Sequence, residues 1–268
     1  MKIATPAWVL LLFSHIFITQ SSLAQTLAAR HISTNAEIAY KQIQARNHLS
    51  IPAQWQTNKP TAEQIAEFQK KISNLAPDVA NMQREFTILF PTNGNAAFMR
   101  EQAVHSWSLA ISAGNPQAEQ QLNKFVAETL AEKNIPETQR ALVLFDASLV
   151  SYFKKVGMRH FTEGPRRLPL EFQKSWIEAL HATFMEFPTC APFYERCLAE
   201  AKRTKGDYRK QMLMEVLNVA KAPAFARAEA EQLLKNPPPD NGEESIYLRT
   251  NFIPAAPRPK PGPAVNKE

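Results

Sequence analysis

The chain has 268 residues, with 31 Lys and Arg against 25 Asp and Glu and a formal net charge of +6. That balance suits acidic partners but is too mild to argue for nucleic acid, and no RRM, zinc-finger or helix-turn-helix signature accompanies it. Only seven glycines speak against a turn-rich β fold, and the length is enough for one sizeable helical core or two small ones.

Residues 1–24 read as an export signal. Lys2 supplies a short basic start, Trp8 to Ile18 (WVLLLFSHIFI) an apolar run, and Ser22-Leu23-Ala24 the small residues a signal peptidase selects. A run of about eleven apolar residues is too short to span a bilayer ~30 Å thick. The expectation is therefore cleavage after Ala24, with the rest of the chain working in the periplasm or outside the cell. No cysteine follows to take a lipid anchor, and no later stretch has the length and apolarity of a transmembrane segment.

Residues 25–235 carry helix signals in succession. Ser33-Thr34-Asn35 can cap a helix to about Asn47, with Ile38, Ile43 and Tyr40 turned inward. Thr61-Ala62-Glu63-Gln64 has the form of a capping box, and Ile65, Phe68, Ile72, Leu75, Val79, Met82, Phe86 and Leu89 then draw one apolar stripe. Pro77 interrupts it and predicts two helices or one kinked helix. Asn95 to Ile111 gives the next helix, stopped at Gly114. Asn115 as cap and Pro116 at the first helical position start another, with Leu122, Phe125, Val126 and Leu130 on its face. Pro136 opens a helix in which Leu142, Phe145, Leu149, Tyr152, Phe153 and Val156 cover a wide arc, so it is expected to be the most buried. After a loop from Gly157 to Leu168, helices start near Pro169, Pro192, Asp207 and Pro223.

Residues 236–268 hold eight prolines and almost no periodicity. They read as an extended, disordered tail of polyproline character, with Ser245 to Ile253 (SIYLRTNFI) its one apolar patch.

The chain contains an echo of itself. Phe68-Gln69-Lys70 precedes Phe90-Pro91-Thr92, and Phe172-Gln173-Lys174 precedes Phe187-Pro188-Thr189. Phe98 and Phe193 then stand early in the helices that follow. Helix pairs joined by such turns cannot bury their faces alone, so they stack. The expected fold is all-α, of about eight to ten helices in stacked antiparallel hairpins, like a tetratricopeptide array or other α-solenoid. The 97 residues between the two Phe-Pro-Thr turns do not match one tetratricopeptide unit of about 34.

A helix ending in Glu186-Phe187-Pro188, then FYERCLAEAK and the APAFARAEAEQLL segment, all preceded by IPETQRALVLFDASLV, resembles the helical N-terminal region of secreted bacterial thioredoxin-like (redoxin) proteins. The resemblance covers Ile135 to Leu234, reaching back weakly to Thr61, and its motifs concern helix packing. It implies a helical scaffold. In that family a thioredoxin fold with a Cys-x-x-Cys pair follows; here the Pro-rich tail follows and no Cys-x-x-Cys occurs, so redox activity carries over to no residue.

Catalytic patterns are absent from the sequence: there is no Gly-x-Ser-x-Gly elbow and no Gly-rich phosphate loop. Glu101 with His105, and Glu178 with His181, fall on shared helix faces, but a di-iron site needs two Glu-x-x-His motifs and only one is found. Cys190 and Cys197, the two cysteines, leave a local disulfide and a pair of buried thiols as alternatives; seven helical residues span ~10 Å, longer than a disulfide reaches. The best candidate site is Arg159, His160, Arg166 and Arg167 on the long loop, where guanidinium forks could clamp carboxylates or phosphates. A second basic run, Lys202, Arg203, Lys205, Arg209 and Lys210, surrounds Gly206. No cofactor or metal is called for. The expected function is a non-catalytic, exported helical scaffold of the cell envelope acting on a protein partner. The alternative is an accessory or degenerate relative of thioredoxin-like proteins, working beside a separate redox partner.

Overall fold

A computed structural model of the chain describes residues 31–49, 52, 55, 58, 60–157 and 170–239. Among these the regular elements are all α-helices: α1 (Ala36–Arg46), α2 (Ala62–Leu89), α3 (Ala96–Ser112), α4 (Ala118–Ala131), α5 (Glu137–Ser148), α6 (Val150–Val156), α7 (Leu170–Glu186), α8 (Ala191–Arg203), α9 (Gly206–Asn218) and α10 (Ala224–Lys235). Most successive helices pack on one another as hairpins, α2 against α3 most extensively, whereas α7 packs chiefly on α5 and α9. The export signal and the body of the tail lie outside the described residues. No described helix is long and apolar enough to cross a membrane.

Local signals place the starts. The Asn35 side chain accepts from the Glu37 and Ile38 amides. The Thr61 hydroxyl accepts from the Gln64 amide while Gln64 Oε1 accepts from the Thr61 amide, closing the capping box. In α1 the inward residues are Ala39 and Ile43; Ile38, expected inside, is half exposed, because the helix offers α2 only a narrow face.

Pro77 does not break α2, which runs through it as one helix. A proline cannot donate to the carbonyl four residues back, so Ser73 loses its intrahelical partner. Asn115 replaces it, donating from Nδ2 to the Ser73 carbonyl at 2.9 Å. The same side chain accepts, through Oδ1, from the amides of Gln117 and Ala118. It is thus the working cap of α4, although regular helix begins at Ala118 rather than at Pro116. Its own amide donates to the Ala110 carbonyl and that of Gly114 to Ile111, the paired C-terminal bonds that end α3. Gly114 adopts φ +80° there, a conformation glycine takes without strain.

Two large cores result. The C-terminal one joins α5–α10 around stacked and edge-on aromatics, among them Phe145, Phe172, Trp176, Phe184, Phe193 and Tyr194. The N-terminal one, on α2–α4, is built of alanines and aliphatics around Trp107 and Phe125. The helix expected from Pro136 to Gly157 is broken at Leu149 into α5 and α6. Ser148 at this break donates to the Leu144 carbonyl at 2.8 Å, a back-bond that bends helices. Nor is it the most buried segment. That is α3, which touches α2, α4, α5 and α6 and buries twelve of its 17 residues. Its buried serines are satisfied locally: Ser108 donates to Val104, Ser112 to Ser108, and Ser106 to Gln83 Oε1 across the hairpin.

Candidate functional site

The first Phe-Pro-Thr turn opens into a cleft of about 770 Å³. Its walls are the C-terminal turns of α2 and α4, the two turns that follow them, and the first turns of α3 and α5. The size falls within the range of pockets that enclose small ligands or a few residues of peptide. One wall is clipped in place by Arg84, whose Nε and Nη2 donate to Glu128 Oε2 and Oε1 at 3.0 Å each. Such a planar fork fixes α2 against α4 as well as pairing charge.

Arg100 lies on the second turn of α3 with 5 % of its surface exposed. Its Nη1 donates to the neutral Gln139 Oε1 at 2.6 Å, and among the described residues it closes no ion pair. Burial lowers its pKa from the ordinary arginine value, with Glu132 acting through space in the opposite sense. None of its nitrogens is both sealed from solvent and unpartnered, so the donors not used on Gln139 keep a small contact with solvent, and the residue lines the cleft. A charge drawn out of water without a paired counter-charge is costly; this one has only the distant Glu132 and borders the cleft. The remaining lining mixes apolar groups (Ile88, Pro91, Ile135) with carboxamides (Asn93, Asn134, Gln139). Ile88 is 49 % exposed.

Neither Arg84 nor Arg100 was singled out by the sequence reading. The signal available was an arginine beside an apolar face, Arg100 next to Met99, Ala103 and Trp107. Arg159, His160, Arg166 and Arg167 fall within residues 158–169, outside the described residues. Two residues of the second basic run are engaged: Lys202 pairs with Glu229, and buried Arg209 donates to the Ala201 and Pro238 carbonyls, both at 3.1 Å, fixing the start of the tail; Arg203, Lys205 and Lys210 are exposed.

Cys190 and Cys197 are separate, buried thiols. Cys190 is the N-cap of α8 and Cys197 lies inside it, so two turns of helix hold them apart. Burial, with Glu200 and Glu215 adding to it, pushes the Cys197 thiol up to about 12, which leaves it protonated and unreactive near neutrality. His181 pairs with Glu215 of α9 at 3.0 Å rather than with Glu178. Glu101 is held above the ordinary carboxylate range by burial and by Asp146, with Arg196 opposing. No group of three or more His, Cys, Asp or Glu among the described residues is placed to hold a metal ion.

No protein-family model matches the chain, nor does any curated protein or solved structure. A functional reading therefore rests on the residues themselves.

Proposed function

We propose that this protein is a non-catalytic helical scaffold of the cell envelope, exported and then trimmed after Ala24, that works by binding a protein partner in the cleft at the first Phe-Pro-Thr turn. The observation that carries the reading is Arg100: a nearly buried guanidinium, among the described residues hydrogen-bonded only to a neutral amide and closing no ion pair, bordering a cleft with an exposed apolar rim. A residue kept for folding would be expected to find a carboxylate; a residue kept for binding leaves that place to the partner. The accessory redox reading draws no support from the two thiols, since both are buried.

The test is site-specific photocrosslinking in the native host. A crosslinking residue replaces Ile88 at the cleft or, as control, Ile38, which is 51 % exposed on α1. The proposal predicts a discrete adduct from position 88 and none from position 38. Equal adducts at both, or adducts only when the probe stands in the tail, would overturn it. Cell fractionation and N-terminal sequencing check the export step, with Gln25 as the expected first residue.

A further inference from the structure

Resting on that reading, we infer that the cleft takes the free C-terminal carboxylate of a peptide that ends in an apolar residue. Four charged side chains line the cleft, Arg84, Arg100, Glu128 and Glu132. Arg84 and Glu128 satisfy each other. Arg100 is left with a neutral hydrogen-bond partner and a through-space field from Glu132. One guanidinium with open donors matches one carboxylate, which it can hold through two parallel N–H bonds. A phosphate would bring up to two negative charges against Glu132, so the monoanion fits better.

The rest of the lining chooses among monoanions. A simple fatty acid asks for apolar walls alone. This cleft also carries Asn93, Asn134 and Gln139; the oxygens of Asn93 and Gln139 already accept from the Asn95 amide and Arg100, which leaves their amide nitrogens and the whole Asn134 carboxamide to meet the C=O and N–H of a peptide backbone. Ile88, Pro91 and Ile135 offer an apolar surface for the last side chain. An internal Asp or Glu would carry its chain onward on both sides. A chain end places carboxylate, side chain and one run of backbone together, which is the set of groups the lining supplies.

The probes are N-acetyl-Ala-Ala-Leu with a free carboxylate, the same peptide as its C-terminal amide, and inorganic phosphate. Each is titrated into the protein while the methyl resonances of Ile88 and Ile135 are followed by NMR. The expected result is saturable shifts with the free acid and binding at least about tenfold weaker with the amide and with phosphate, the scale on which a charge-assisted bond contributes. In Arg100→Gln, with its fold checked by circular dichroism, acid and amide should become equivalent. The comparison of acid with amide on the unaltered protein needs no variant, so it stands even if Arg100→Gln fails to fold. Equal binding of acid and amide would overturn the carboxylate inference while leaving the cleft as a peptide site. Stronger binding of phosphate, or no response to the free acid, would also overturn it. Failure of the Ile88 crosslink is a separate result, which removes the parent reading instead.

Discussion

The two Phe-Pro-Thr turns start from the same residues and end in opposite states. At the second, Phe187 is buried, Arg140 stands over its ring at 5.6 Å, and the Tyr194 hydroxyl donates to the Pro188 carbonyl at 3.1 Å. Helix α8 follows within a few residues and the turn is sealed into the aromatic core. At the first, Phe90 is only half buried, and Asn93, Gly94 and Asn95 lengthen the connection before α3. The fourth residue of α3 is Met99, which has no hydroxyl to reach back, where α8 has Tyr194. Closure thus depends less on the motif than on the hydroxyl and ring beside it. Where they are missing, the same turn leaves a cleft.

Truncating the two phenylalanines should separate these states most widely. Phe187→Ala is expected to cost ~3–5 kcal/mol, as for a buried aromatic in a dense core, and Phe90→Ala clearly less, measured by denaturant unfolding. Equal costs would mean the first turn is as sealed as the second. Asn115→Ala should cost about 2 kcal/mol, since it removes a helix cap and also strands the Ser73 carbonyl freed by Pro77. Converting Pro77 to Ala in the same chain should recover part of that loss, because Ser73 would regain a backbone partner.

A separate effect concerns pH and belongs to the closed side alone. The Cys197 thiol is raised from 9.0 to about 12, so the folded state favours the protonated form. Its contribution is fully present below pH 9 and is lost as pH rises toward 12. Unfolding followed between these values should show falling stability, and Cys197→Ala should flatten that fall. Alkylation of Cys197 near neutrality should proceed only as fast as the chain opens.

Much of the helical order was legible because it rests on local chemistry. The capping box at Thr61, the stop at Gly114 and the apolar stripe of α2 are each written in a few neighbouring residues, and the structure shows them. The burial ranking was not, and the reason is specific. Hydrophobic periodicity favours the aromatic-rich segment after Pro136, whereas α3 is buried by position, with Ser108 and Ser112 satisfied inside the helix, Ser106 by Gln83 and Arg100 held by Gln139. The continuity of α2 through Pro77 was equally hidden, because its repair comes from Asn115, far along the chain. The cleft went unseen for the same reason: its charged groups come from α2, α3, α4 and the turn after α4, and only folding brings them to one place.

The most direct test of the account is Arg100→Met, with stability and Ile88 crosslinking measured on the same protein. If Arg100 is held for a partner, replacing an unpaired buried charge with an apolar chain should leave stability within about 1.5 kcal/mol of the original, or raise it, while the crosslinked adduct disappears. If stability instead falls by several kcal/mol and the adduct persists, Arg100 is a structural residue and the open turn is not a binding site.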